Sequence, residues 1–530
     1  MRNRLLIALG IFAAAFAFNA LVTSSGYFPD PDSFYHAKMA ELMVHTSVVR
    51  DFPWLTETVF ADNYVDHHWG YHLFLVPFVA ALGSVGGIQL ATLILASLVP
   101  AVVFLLIASW GSARAGAAAA CVLLLNNPFG FRMNLAKAPA FSVLFVLAAI
   151  MAIDRKKHLL LAVIAALYVW SYNGWPLLFV VAGSYAAASL LEAAITAGPA
   201  ALRRLATWRA ALMPFFAVSA GTLVALVVNP YFPNNIRFSW LHIVRIGIIG
   251  FKDKIGVGGE WYPSEPLALV AQSSFVFAFL LAGMVTFIVA MGVTQGKAIK
   301  DAPSSQERRR ACWFMVLAVG FFVLTARSRR NVEYFVPFAT LAGSALIVFA
   351  MRVVHAADWQ KFFDVFLRLR AWQRIPALVI LGFLIPLILF RDIRSLKHDF
   401  DTGVPPTKYA GAASWLTQNA PEGAILWHND WDDFPYFFLH TTRVRFLVGL
   451  DPSFMYARNP EKYWQWVRET RGEGEDRIGR EIARDFNATF AFVDNDHKDL
   501  AARFAADHEM TEVYRDTDGI IYALPSGDAP

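Results

Sequence analysis

The sequence predicts an α-helical polytopic membrane protein with a C-terminal soluble α/β domain. Three observations carry this. The 530 residues are 57% hydrophobic and only 16% charged, where a soluble chain of this length would carry about a quarter charged residues. The apolar residues fall in blocks of roughly 15–25, long enough to cross a hydrocarbon layer about 30 Å thick. Beyond residue 392 the blocks give way to short apolar runs alternating with amphipathic helical patterns.

The first block, 5–22, follows Arg2 and Arg4 and resembles a signal peptide without a convincing small-residue cleavage site, so it reads as a retained signal-anchor. About eleven spans are expected, near 5–22, 87–109, 115–126, 138–153, 158–171, 175–195, 210–228, 266–294, 311–327, 333–351 and 376–391. The third and fifth are short, which suits tilted or partly buried helices. The apolar stretch 70–85 reads as a helix on the outer face.

Basic residues at Arg2 and Arg4, Arg114, 155–157, 203–209, 297–310 and 352–374 all fall on one side of this arrangement. By the positive-inside rule that side is cytoplasmic. The N-terminus is then cytoplasmic, and the loops 23–86 and 229–265 face outward. A membrane domain spans 1–392 and an extracytoplasmic domain 393–530, in the periplasm or at the cell exterior. One cluster breaks the rule: Arg327-Ser328-Arg329-Arg330 ends a span on the outer side. Arginines there call for a local anion, and a lipid phosphate qualifies.

The net charge of +5 resides mostly in short loops, where it serves topology rather than nucleic-acid binding. Cys121 and Cys312 are the only cysteines and each lies in an apolar block. They read as buried packing thiols, and a disulfide framework is excluded. In the tail, Pro405-Pro406 marks a linker. Runs at 424–427, 445–449, 488–493 and 519–524 read as strands, with helical patterns at 460–469 and 478–486.

Three polar segments stand out. The first loop holds Asp30-Pro31-Asp32-Ser33-Phe34-Tyr35-His36 and Asp66-His67-His68-Trp69-Gly70-Tyr71-His72. Ionisable groups near a membrane are costly unless paired, metal-bound or catalytic. Asp32 reads either as a helix N-cap or as part of a set that suits a divalent ion holding a phosphate-bearing substrate. The second loop holds Gly256-Val257-Gly258-Gly259-Glu260-Trp261-Tyr262-Pro263. Its glycines permit close backbone approach, and Glu260 reads as a metal ligand or as a solvated loop acid. The third segment runs from Trp427 to Tyr436. Its aromatics interleaved with acids suit a sugar- or peptide-binding surface, or a strand end with a turn.

In order and type these segments resemble the catalytic-subunit family of oligosaccharyltransferases, the archaeal and bacterial single-subunit enzymes of GT-C type. Asp32-Ser33-Phe34-Tyr35-His36 is similar to the family's first Asp motif, and His68-Trp69-Gly70 to its His-Trp-Gly element. Trp170-Ser171-Tyr172-Asn173-Gly174-Trp175 resembles a family turn between spans. Glu260-Trp261-Tyr262-Pro263 looks like its mobile-loop motif, and Arg330-Asn331-Val332-Glu333-Tyr334-Phe335 like a span with an arginine near the lipid pyrophosphate. Trp415 to Glu422 matches the lead-in to the family's WWDYG motif, whose place is taken by Asp430-Trp431-Asp432-Asp433-Phe434. The resemblance covers nearly the whole chain and rests on co-linear order.

Two departures stand out. The family's second acidic motif is replaced by Arg132-Met133-Asn134-Leu135-Ala136-Lys137-Ala138-Pro139, which has no carboxylate, and WWDYG retains only Trp431 and Asp432. Lys137 cannot ligate a metal as an ammonium, but it can neutralise a phosphate.

The resemblance implies a GT-C membrane glycosyltransferase. It would transfer a sugar or oligosaccharide from a polyprenyl-phosphate or -pyrophosphate donor to a protein, glycan or lipid acceptor on the outer face. Asp32 and Glu260 take the catalytic places and, with His68, those of ligands to Mg2+ or Mn2+. His68, Lys137, Arg329 and Arg330 take the donor-phosphate places, and Trp431 and Asp432 that of acceptor binding. The alternatives are a lipid-phosphate-sugar-dependent transferase, a membrane transporter or flippase, and a non-catalytic scaffold.

Overall fold

The structure is a computed structural model that describes residues 2–294, 301–355, 358–360, 364 and 371–525. The basic stretches 297–300 and 365–370 therefore lie outside the described residues. The chain groups into two compact units. The first comprises Met1–Ser25, Thr92–Ala225 and Glu260–Thr402, and the second Gly26–Ala91, Leu226–Gly259 and Gly403–Pro530.

The first unit is helical. Among the described residues, seven helices of the whole chain are long and apolar enough to cross a membrane, against the roughly eleven expected. The difference has local causes. Ala113–Leu124 and His158–Ser171 are helices of 12 and 14 residues, too short to span alone. The expected span 138–153 is Pro139–Asp154, which follows Asn127–Asn134 across a bend of 105°. Pro139 has no backbone N–H to donate and stands at the start of the second helix, where that donor has no partner within the helix. The apolar stretch 70–85 belongs to one long helix, Trp69–Ser109, interrupted at Gly83, where φ is +75°. The stretch 376–391 lies within the helix Ala371–Asp401.

Polar residues punctuate the helices. The Ser112 hydroxyl accepts from the Ala115 amide, and Ser304 and Glu307 form a reciprocal capping box. Arg308 meets Glu192 at 2.9 Å and Arg310 meets Asp154 at 2.7 Å, so the basic start of Ser305–Arg327 is paired with acids at the ends of neighbouring helices. The helix Val332–Val353 is the most enclosed and packs against both Ser274–Thr294 and Ser305–Arg327. Cys121 is exposed and Cys312 half-buried, so neither is the fully buried packing thiol expected.

The second unit carries a five-stranded sheet. Its strands are β1 (Ile425–His428), β2 (Arg445–Phe446), β3 (Phe490–Asp494), β4 (Thr511–Arg515) and β5 (Gly519–Ala523), in the order β2-β1-β3-β5-β4. β1 pairs parallel to β2 and β3, while β5 runs antiparallel to β3 and β4. β4 was not foreseen: it is an edge strand whose residues are mostly exposed, so no apolar run announces it. The first loop joins this domain directly. Phe446 donates to Trp54 O at 2.7 Å and accepts from the Thr56 amide at 2.8 Å, extending the β2 edge. The helix Asp32–His45 packs on the helix Asp433–His440 through Phe34 with Tyr436 and Tyr35 with Phe438.

Helix packing in the first unit makes a test possible. A Cβ on Gly283 would lie 2.7 Å from the Gly343 carbonyl oxygen, so these backbones touch. Gly283→Val should lower the melting temperature of the detergent-purified protein, by overpacking worth about 1–3 kcal/mol. An unchanged melting curve would contradict the contact.

Candidate functional site

The second unit assembles the acids. Pro31 occupies the cap position of Asp32–His45, and Asp30 Oδ1 accepts the Asp32 amide at 3.0 Å. Asp30 therefore does the local turn work, and the Asp32 carboxylate is not consumed as an N-cap. Asp32 and Asp30 act electrostatically on Asp432, which lies in the turn between β1 and the helix Asp433–His440. Burial, then Asp430, Asp32, Asp30 and Asp433, push the Asp432 carboxyl up to about 9. Its Oδ1 is buried with no hydrogen-bond partner. Burial, with Asp430 and Asp494, likewise holds Asp433 well above the usual carboxylate range, although Tyr409 donates to it at 2.8 Å. Trp431, beside them, is half-buried.

The histidines of the first loop form a chain of their own. Asp66 Oδ2 meets His72 Nδ1 at 2.7 Å, and His72 Nε2 meets His36 Nδ1 at 2.8 Å, all three residues being buried. Asp66 Oδ1 also accepts the His68 amide at 2.9 Å. The His68 ring lies edge-on to His36 at 4.8 Å and 4.0 Å from His67. Burial, then His68 and His242, hold His67 well below the usual imidazole range, so it is neutral.

The first unit assembles the cations. Arg132, in the last turn of Asn127–Asn134, donates from Nε and Nη2 to Glu333 Oε2 at 2.9 and 2.8 Å. Its Nη1 donates to Glu260 Oε2. Glu260 Oε1 faces Arg330 Nη1 at 3.4 Å, and Arg330 Nη2 donates to the Tyr172 hydroxyl at 2.9 Å. Lys137, at the 105° bend, adds its field to Glu260. Burial alone would raise the Glu260 carboxyl, but Arg132, Arg330 and Lys137 overcome it and hold the group well below the usual range. The loop backbone is fixed separately: Ser328 Oγ donates to Glu260 O at 3.0 Å, and Arg329 N to Tyr262 O at 3.1 Å. Arg329 Nε donates to Pro263 O at 3.2 Å, and the Arg330 guanidinium stacks 4.5 Å from the Trp261 ring.

Of the residues singled out from sequence, Asp32, His68, Trp431 and Asp432 thus fall in the second unit, and Glu260, Lys137, Arg329 and Arg330 in the first. Asp32 and Asp432 come together, as do Glu260, Lys137 and Arg330. Asp66, His72 and His36 stood in the polar first loop, and Arg132, Tyr172 and Glu333 in the motifs read from sequence, but none of the six was given a site role. Arg132 and Glu333 did carry a signal, since each is a charge inside a largely apolar stretch. For Arg330, the local anion in this structure is Glu260.

The acids offer a divalent cation a partial fit. Among the described residues, the three potential ligands whose donor atoms lie within 4.8 Å of one another are Glu469, Glu481 and Asp485, not the Asp32–Asp432 group. The latter is no closed cage, which suits Mg2+: that ion keeps waters and takes one or two carboxylates plus substrate phosphate. The unsatisfied Asp432 Oδ1 and its crowded charges are what such an ion would relieve.

No family model matches the chain, and no curated protein matches it in sequence. Solved structures do. The archaeal oligosaccharyltransferase AglB from Archaeoglobus fulgidus, solved with an inhibitory peptide and a dolichol-phosphate, matches over 98% of this chain and 75% of its own, with a TM-score of 0.57 at 13% identity. ArnT from Cupriavidus metallidurans, bound to undecaprenyl phosphate, matches over 98% of this chain and 99% of its own, at 0.56 and 16% identity. The arabinofuranosyltransferase AftD from Mycobacteria matches over 98% of this chain and 42% of its own, at 0.51 and 16% identity. The chain therefore has the fold of the GT-C membrane glycosyltransferases.

Proposed function

We propose that the protein is a membrane glycosyltransferase that takes a sugar or oligosaccharide from a polyprenyl-phosphate or -pyrophosphate donor. The observation that carries this reading is the cluster of Arg132, Lys137 and Arg330 around the Glu260 carboxylate in the first unit. Guanidinium and ammonium groups in a largely water-excluded setting offset the negative charge that grows on a departing phosphate. Arg329 extends the cationic surface, and His68 in the second unit is an imidazole suited to meet a phosphate oxygen. GT-C folds solved with dolichol-phosphate and undecaprenyl phosphate support the donor class.

Asp32 is the group we assign to the acceptor, accepting its proton or orienting it. Asp32 and Asp432, with Asp30 nearby, would hold a divalent cation such as Mg2+ or Mn2+. When bound, that ion supplies Lewis-acid polarisation and charge neutralisation. Trp431 and Asp432, in the turn after β1, are assigned to the acceptor side. The acceptor is a protein, a glycan or a lipid.

Mass spectrometry of protein- and lipid-linked glycans, in cells with and without the gene, tests the activity. Loss of one glycan species is expected on deletion. Asp32→Asn should fail to restore it, with transfer reduced about a hundredfold or more. Full restoration by Asp32→Asn would remove Asp32 from the mechanism.

The raised Asp432 carboxyl gives a pH test. The folded protein keeps the proton up to about 9, whereas the unfolded chain releases it near about 3.9. The native state therefore binds more protons across that window, and stability falls as pH rises through it. Asp432→Asn should flatten the decline in melting temperature between pH 5 and about 8.5. Mg2+ added at the upper end should raise the melting temperature of the unaltered protein but not of Asp432→Asn. Identical pH slopes for the two proteins would refute the assignment.

A further inference from the structure

Glu260 is bound as an anion ligand is bound. Each of its carboxylate oxygens faces a guanidinium, Oε2 that of Arg132 and Oε1 that of Arg330, and Lys137 adds a third positive field. The cluster's other acid, Glu333, is placed differently. Glu333 stands in the first turn of Val332–Val353, its side chain is 1% exposed, and it takes two bonds from Arg132. Glu260 stands in the single 3-10 turn Gly259–Trp261 and its side chain is 28% exposed. One carboxylate is a permanent counterion; the other can leave without unpacking a helix.

We propose that Glu260 is an intramolecular stand-in that occupies a phosphate site built by Arg132, Arg330 and Lys137, and that the terminal phosphate of a ligand binds by taking its place. Charge argues for the exchange. Arg132 and Arg330 both face Glu260, and the positive charge of Lys137 acts on it as well. A phosphate monoester carries about −1.5 to −2 charge at neutral pH, so it offers these cations more negative charge than the single carboxylate of Glu260 does. It also offers planar pairs of oxygens to guanidinium forks. The loop has other anchors: the Glu260 carbonyl on Ser328, the Tyr262 and Pro263 carbonyls on Arg329, and Trp261 on Arg330. The side chain can therefore swing away while the backbone stays.

This inference rests on the phosphate-binding reading above and adds to it the part played by Glu260. The test is isothermal titration of the full-length protein in detergent with farnesyl phosphate, and separately with inorganic phosphate. In Glu260→Gln the competitor's charge is gone while the loop anchors remain, so farnesyl phosphate should bind about tenfold tighter than to the unaltered protein. Arg330→Gln and Lys137→Gln should each weaken it, with melting curves confirming that both variants are folded. A matching gain for inorganic phosphate would assign the exchange to the phosphate alone. A gain confined to farnesyl phosphate would assign it to a lipid headgroup. If Glu260→Gln binds no tighter while the cationic variants bind more weakly, the stand-in is refuted and the phosphate site survives. If neither folded cationic variant weakens binding, the phosphate site itself is refuted.

Discussion

Arg132 can be buried in an apolar helical unit only because Glu333 is buried beside it. A lone guanidinium there would pay its desolvation with no return, and removing one member of such a pair typically costs about 3–5 kcal/mol. The two residues are 201 positions apart in sequence, so their pairing also ties the helix Asn127–Asn134 to the start of Val332–Val353. Everything else in the cluster follows from that tie. It fixes which face of Arg132 remains for Glu260. It brings Lys137, five residues on, to the same group, and sets Arg330 opposite, just before the helix that carries Glu333.

The two units solve opposite electrostatic problems. The first gathers cations and satisfies them with carboxylates supplied by the chain. The second gathers carboxylates, and burial together with the neighbouring acids pushes the Asp432 and Asp433 carboxyls up. Acids crowded and desolvated in this way are the arrangement by which functional sites shift their titration. Among the described residues, the Asp430–Asp433 turn is the clearest case of that kind in the second unit.

Much of this was legible in the sequence because it depends on local pattern. Apolar blocks announce spans, short apolar runs announce β1, β2, β3 and β5, and acids beside a helix start announce Asp32. What was not legible depends on distance. The Arg132–Glu333 pair joins segments with no shared pattern, and the His36–His72 bond links residues 36 positions apart. Length misled as well: Ala113–Leu124 and His158–Ser171 are apolar enough to count as spans, yet their 12 and 14 residues fall short of the roughly 20 a crossing needs. The role of Asp32 as a cap could be weighed from sequence but not decided. The backbone decides it, by giving the turn to Asp30.

The Asp66–His72–His36 chain has a directional consequence. A carboxylate only accepts, so the ring nitrogen facing Asp66, Nδ1 of His72, must carry the hydrogen. In a neutral ring the opposite nitrogen then accepts, which obliges His36 to donate from its own Nδ1. The arrangement therefore has a polarity, running inward from one acid through two rings. It leaves Nε2 of His36 as a lone-pair site whose tautomer is dictated two residues away in the chain of bonds. Exchanging a single oxygen for an amide nitrogen at Asp66 would let that whole line of hydrogens reverse.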